Sequence, residues 1–381
     1  GSKIQVDVAG TVSEITVAAG IQASNAVFDS SWGLLLFNSQ GSTLWAIGSS
    51  NRKTAYSTDN GVTWTLCGTL SGSGTIGWIG NIVSFSGALW IGVTYNTEQT
   101  SSILYKSIDN GLTWTTGYSQ TFSGSGGTYC EIINGKMVVA LGISNASSSS
   151  SPCLLYYTSD GITFSQCSPS SYSSPSTVNA MTSANGRLSI AFESIQPAYT
   201  TDGINFTQLS NIYTGSRYPR WLGWDGTKWI CSTAGSPASN YGIYTSIDGS
   251  SWTKRSADGV ECYPLAYNGT VYAGVNHATT SVYYSSDSIT WNTTTVTGAT
   301  FRYFDFCACN GVFFTGDNGA NKQLMWKSNA AATSWTSSDL GFATYQFTMT
   351  SPSIAKPNWA ALGGQTEQYS VTTTSTPSFI A

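Results

Sequence analysis

The chain has 381 residues, of which 9% are charged and 13% aromatic, with 40 glycines and a formal net charge of −4. That balance is wrong for a disordered chain, which lacks aromatic residues, and with no Lys/Arg cluster it argues against nucleic acid or an anionic membrane surface as partner. No apolar run approaches the roughly 18 residues of a membrane span, and no signal peptide is visible.

Residues 1–29 precede the first full repeat, and Ser13 to Ala18 alternates as a strand would. From residue 30 onward, sets of four strands follow one another. The first strand of a set is apolar and often ends in a tight turn. Examples are Phe37 to Gly41, Asn134-Gly135, Asn185-Gly186, Asp225-Gly226, Asn268-Gly269 and Asn310-Gly311. Asn-Gly and Asp-Gly are the strongest short hairpin signals. A second strand follows at once, as in Leu89 to Val93 or Val271 to Val275. A longer polar loop leads to a third, as in Ser281 to Tyr284. The third turns into the fourth through the octet Ser57-Thr58-Asp59-Asn60-Gly61-Val62-Thr63-Trp64. Here Asp59 is expected to accept hydrogen bonds from the N–H groups of its own turn, with Ser57 doing so more weakly. Gly61 supplies a positive φ, and Trp64 buries a large ring beside the hairpin.

The octet recurs around Asp109, and shorter versions surround Asp160, Asp202 and Asp248. The copy at Asp287 has lost its glycine, and the one from Ser328 to Trp335 has lost its aspartate. This series resembles the Asp-box of the bacterial-neuraminidase-repeat β-propellers, S/T-x-D-(x)-G-x-T-W/F. The resemblance implies an all-β propeller of four-stranded antiparallel blades, with the box between third and fourth strands. It makes Asp59, Asp109, Asp160, Asp202, Asp248 and Asp287 structural residues. Boxes of this kind occur in sialidases, other glycosidases, sorting receptors and non-catalytic binders, so they do not name a function.

The aromatic residue opening each fourth strand is Trp64, Trp114, Phe164, Phe206, Trp252, Trp291 and Trp335, at intervals of about forty to fifty residues. One further interval lands on Phe379. Between them, residues 344–349, 359–362 and 369–372 read as three more strands. Eight blades are therefore favoured, with seven, and a C-terminal appendage, as the alternative. Residues 1–381 form a single propeller domain on this reading. A ring must close to remove its edges, and an N-terminal strand near residues 12–18 pairing with the last blade would close it.

Strand direction sorts the loops into two faces. The Asn-Gly turns and the boxes share one. The longer, more variable loops after the second and fourth strands share the other, where binding is expected. That face is predicted to carry Tyr95, the loop from Tyr213 to Trp221 with Arg217, Tyr218 and Arg220, and also His277, Arg302 and Asp317. The Tyr213–Trp221 stretch combines rings that stack on sugars with guanidinium forks that bind carboxylates. The alternative is that Trp221 is core and the arginines are ordinary loop charges.

A sialidase needs three arginines, a Tyr nucleophile with a Glu, and an Asp acid; the family's first arginine lies before the first box, but here no arginine precedes Arg52, and Arg52 follows the second strand, so that position is empty. Other glycosidases need two facing carboxylates. Glu131, Glu193, Asp305 and Asp317 are scattered candidates with no recognisable pairing. A lone histidine makes a Ser-His-Asp triad and a His-rich metal site improbable, and Cys307-x-Cys309 has the wrong spacing for zinc. No cofactor or metal is expected. Most of the eight cysteines read as buried thiols, though Cys153 and Cys167 lie equidistant from the Asp160 turn and would face each other across a regular hairpin. Low charge with Ser, Thr and Gly in abundance also resembles tail-fibre and other surface proteins of bacteriophages. The expectation is a non-catalytic adhesin or receptor-binding module at a virion surface or outside the cell, contacting cell-surface glycan or other assembly proteins. The alternatives are a sialidase-like glycoside hydrolase and a purely structural protein-contact propeller.

Overall fold

The computed structural model describes residues 3–8, 11–16, 27–28, 30–95, 101–121, 127–141, 153–172, 178–192, 197–209, 217–235, 242–256, 262–263, 265–276, 279–301, 306–317 and 324–340. The chain divides into two compact units, one comprising residues 27–341 and the other residues 1–26 with 342–381. In the second unit Lys3–Val8 pairs antiparallel with Thr11–Thr16. The N-terminal strand foreseen near residues 12–18 is thus present, and its partner is the strand just before it.

The first unit consists of seven sheets, each of four antiparallel strands in sequence order. They span residues 35–69, 76–121, 128–172, 178–208, 217–254, 265–295 and 306–339, and are called blades 1 to 7. The only helix among the described residues is a single turn, Ser30–Trp32. The first strands are Leu35–Gln40, Ile76–Phe85, Thr128–Ile133, Val178–Ala184, Arg217–Trp224, Leu265–Tyr267 and Phe306–Cys309. Each packs against the first strand of the next blade, and the last packs against the first. These strands therefore encircle the axis and the fourth strands form the rim. A closed seven-bladed propeller follows, which corrects the favoured count of eight. The segments expected to form an eighth blade lie outside the described residues, and the ring closes without them.

Closure is side-chain packing between blade 7 and blade 1. Cys307, Cys309, Phe314 and Met325 share one core cluster with Phe28, Leu35, Phe37 and Trp64. Hydrogen bonds fasten the same seam, among them Ser39 Oγ to Ala308 O at 2.8 Å and Lys327 Nζ to Asn60 O at 3.2 Å. The other seams have their own clusters, so the core is a ring of inter-blade layers rather than one central mass.

The aspartate turns hold the rim. Asp59 Oδ1 accepts from Val62 N at 3.1 Å, Thr63 N at 2.8 Å and Ser57 Oγ at 2.8 Å, and Oδ2 accepts from Thr63 Oγ1 at 2.6 Å. The same pattern is built around Asp109, Asp160, Asp202, Asp248 and Asp287. In the seventh copy Asn329, one residue earlier, accepts from Thr333 N and Ser334 N instead. The glycine position has positive φ in every copy, including Ser288 and Ala332 where glycine is missing. Steric room is the second demand there. A Cβ on Gly111 would lie 2.6 Å from the Trp45 ring of the preceding blade.

All eight cysteines are free thiols. Cys153 faces Tyr172 and not Cys167, because the register shifts between Leu154 and Tyr156. That irregularity removes the symmetry on which a disulfide there depended.

Candidate functional site

The first-to-second and third-to-fourth turns lie on one face, and the remaining connections on the other. On the first face the carboxylates are turn-bound. The N–H groups of Thr163 and Ile162 hold Asp160 at a pKa of about 2, and those of Ser251 and Ser250 do the same for Asp248. Such groups are ionised, saturated acceptors.

On the other face, the best sequence candidate changes character. Tyr213 lies outside the described residues. Arg217, Tyr218, Arg220 and Trp221 are not loop residues: they open the first strand of blade 5, with Arg217 facing Gly235, Tyr218 facing Ala234 and Trp221 facing Ser232. This corrects their assignment to the loop after blade 4. The apolar Pro-Arg-Trp-Leu run pairs well with Trp229–Gly235, and pairing prevailed over the aromatic, loop-like composition. The register steps over Arg220: Pro219 faces Thr233 and the next pair is Trp221 with Ser232. It is the extra residue of a β-bulge, a device that re-aims a side chain. Its guanidinium lies 5.6 Å from the centre of the Tyr263 ring. Trp221 packs against Ile230, Ile243 and Leu265, so the ring belongs to the blade 5–6 layer. Comparable bulges fall at Gly77 and Asn179 in blades 2 and 4.

The remaining candidates are dispersed. Tyr95 is buried, and its hydroxyl lies 2.7 Å from that of Tyr105 and donates to Ser71 O at 2.9 Å. Asp317 is 3% exposed, and its Oδ2 accepts from Trp326 Nε1 at 2.9 Å and Thr300 N at 3.1 Å. Both hold blade ends together. Arg302, His277, Glu193 and Asp305 lie outside the described residues, as do the connections at 142–152, 236–241 and 318–323.

Sequence reasoning missed a belt of polar side chains on the first strands. Asn38 Nδ2 donates to Gly80 O at 2.9 Å, Tyr129 OH to Asn179 O at 2.9 Å, and Asn179 Nδ2 to Pro219 O at 2.8 Å. Asn81 Nδ2 serves two partners, Glu131 Oε2 at 2.7 Å and Met181 O at 2.8 Å, so one amide joins blades 2, 3 and 4. Burial raises Glu131 to a pKa of about 7, against the lowering effect of Ile132 N–H and the Asn81 amide. The available signal was asparagine inside apolar strand runs, where an amide needs a partner. Among the described residues, no group of three or more His, Cys, Asp or Glu side chains could hold a metal ion, and no helix is long and apolar enough to cross a membrane.

Solved structures of low sequence identity share this architecture. YCF48 bound to D1 peptide is 14% identical with a TM-score of 0.52, covering 77% of this chain and 93% of that one. An ancestral GH74 enzyme is 11% identical with a TM-score of 0.57, covering 81% of this chain and 46% of that one. The GH74 xyloglucanase from Xanthomonas campestris is also 11% identical, with a TM-score of 0.54 and coverage of 81% and 55%. This chain spans about half the length of those two enzymes. At such identities the likeness establishes the propeller fold alone. No protein-family model matches the sequence, and no curated protein matches it.

Proposed function

We propose that this propeller is a non-catalytic recognition module that contacts cell-surface glycan through the face opposite its aspartate turns. One observation carries the reading. Each blade carboxylate whose side chain is described already serves the frame: six are held in aspartate turns, Asp225 by Thr227 N and Lys228, Asp317 by Trp326, and Glu131 by Asn81. Glycoside hydrolysis needs two carboxylates facing one sugar bond, one of them free to move a proton. The turn geometry also supports membership of the Asp-box propellers. The low charge and the Ser, Thr and Gly content support a place on a virion or another extracellular surface.

A second reading, a propeller that contacts only proteins, is favoured by the exposed aliphatic residues of the aspartate turns. Ile108, Ile162 and Ile247 are 78%, 78% and 81% exposed. YCF48, solved with a D1 peptide, shows that a propeller of this fold takes such a partner. A glycan array probed with the purified chain separates the readings. Selective binding of a glycan class without release of reducing sugar is the expected result. Hydrolysis of the bound glycan would overturn the non-catalytic assignment, and a blank array together with protein capture would favour the second reading.

A further inference from the structure

The Asn-Gly pairs of this chain do two jobs, and one of them is left chemically open. Among the described residues these pairs begin at Asn60, Asn110, Asn134, Asn185, Asn268 and Asn310. An Asn-Gly pair deamidates when the glycine N, after losing its proton, attacks the asparagine Cγ. The new N–C bond closes a succinimide as ammonia leaves. Water then opens the ring at either carbonyl, giving aspartate or isoaspartate. Two groups must be free for this: the side-chain amide and the glycine N–H.

In five of the pairs one of them is engaged. Asn268 Nδ2 donates to Gly311 O at 2.7 Å and Ala330 O at 2.8 Å. Asn310 Nδ2 donates to Ser42 O and Asn60 Oδ1, and Asn134 Nδ2 donates to Thr201 O. After Asn60 and Asn110, the attacking nitrogen is occupied: Gly61 N donates to Ser57 Oγ at 2.8 Å and Gly111 N to Ser107 Oγ at 2.7 Å. The pair Asn185-Gly186 differs. Both residues are exposed, neither the Asn185 amide nor the Gly186 N–H has a partner among the described residues, and the space beside Gly186 is open. The inter-blade contact that asparagine makes elsewhere is made here by Arg187, whose guanidinium donates to Asp248 O at 2.8 Å and Gly249 O at 3.0 Å in blade 5.

We infer that, among the six described Asn-Gly pairs, Asn185 is the one at which the folded chain undergoes spontaneous deamidation. The consequence is local and directional. Isoaspartate adds a methylene to the backbone of a two-residue turn closed by the Ala184–Arg187 pair. The turn can no longer keep its register, and Arg187, the next residue, is the grip on blade 5. Modification at Asn185 therefore loosens the blade 4–5 seam.

The test is peptide mapping by mass spectrometry on the intact folded chain, aged in mildly alkaline buffer, beside the same chain aged in concentrated urea. In the folded chain Asn185 should convert about fivefold faster than Asn134, Asn268 or Asn310, the factor that one net hydrogen bond makes. In urea the rates should converge. Equal rates among these six pairs in the folded chain, or a different one of them leading, would overturn the assignment. The variant Asn185→Gly fits the same left-handed turn and cannot deamidate there. Ageing should lower the melting temperature of the parent chain and leave that of the variant unchanged; a parent chain that converts without any such change would overturn the coupling to the seam.

Discussion

Asn310 and Asn60 meet across the closing seam of the ring: Asn310 Nδ2 donates to Asn60 Oδ1 at 2.9 Å, although 250 residues separate them in sequence. The same amide donates to Ser42 O at 3.1 Å. A turn of blade 7 thus holds both turns of blade 1. Asn268 does this between blades 6 and 7, and Asn134 and Arg187 make the corresponding contacts from blades 3 and 4. Asparagine in these turns is selected twice, once for its left-handed backbone and once for an amide that reaches the next blade.

Comparing Asn310→Ala with Asn185→Ala isolates the second role. Both residues have φ near +50°, so the backbone penalty of alanine is common to both. Only Asn310 loses inter-blade hydrogen bonds. Asn310→Ala should be the less stable variant by about 1 kcal/mol in urea denaturation. Equal losses would mean that the amide contributes nothing to closure.

Gly111→Ala tests why glycine occupies the aspartate turns. The φ of +87° opposes any L side chain, and the added methyl would press on Trp45, itself 3% exposed. Overpacking and backbone strain together should cost about 2–4 kcal/mol. Ser288→Gly is the converse change. Ser288 sits at φ +60° in the same structural position, and removing its Cβ should raise stability by under about 1 kcal/mol, strain relief being partly offset by unfolded-state entropy. A destabilised Ser288→Gly would show that the hydrogen bond from Ser288 Oγ to Asp287 O outweighs the strain.

The propeller was legible because its signals are local. The Asp59 and Asp109 octets fix turns through neighbours within four residues, and each Asn-Gly pair fixes a hairpin. The blade count was not local. It depends on whether Phe306–Cys309 meets Leu35–Gln40, a contact that spans the chain and leaves no periodic trace. The extension to Phe379 followed spacing and three strand-like segments, neither of which shows where the ring closes. The Arg217–Trp221 strand was read as a loop for a related reason. Its partner strand, Trp229–Gly235, explains its composition only once the pairing is known. Glu131 and Asn81 stood out singly, and only the fold brings them within 2.7 Å.

Two sets of carboxylates set opposite limits on stability with pH. Asp160, Asp248 and Asp287 have folded pKa values near 2, below the unfolded value of about 3.9. Their contribution is present above that value and is lost as pH falls toward 2. Glu131 runs the other way. Its folded pKa near 7 exceeds the unfolded value of about 4.3, so the folded state binds the extra proton between the two. Stability falls as pH rises through that window and levels off above it. Urea midpoints should therefore peak on the acid side of neutrality. Glu131→Gln should flatten the slope between pH about 4.3 and 7 while leaving the acid limb intact. An unchanged slope in that variant would remove Glu131 as its source.

The recognition face is tested most directly at Arg217, which opens the first strand of blade 5 beside the connection from blade 4. Position and chemistry coincide there: the strand begins on the face opposite the aspartate turns, and a guanidinium fork suits a carboxylate or a sugar hydroxyl. Arg217→Ala should weaken binding to target cells, and an acidic glycan should lose roughly tenfold to a hundredfold in affinity with one charged hydrogen bond. The melting temperature should hardly move, because single charges at strand ends contribute little to stability. Arg220 is a poorer probe of binding, since its guanidinium also rests on Tyr263 and its loss would disturb the blade 5–6 layer. For a neutral glycan held by ring stacking, Tyr218→Ala should be the more damaging change. Asp248→Ala, on the opposite face, serves as the control: it should lower stability by removing acceptors for Ser250 N and Ser251 N and leave binding by the folded fraction unchanged. Wild-type affinity in both Arg217→Ala and Tyr218→Ala would move the contact away from blade 5, and lost binding in Asp248→Ala would place it on the aspartate-turn face instead.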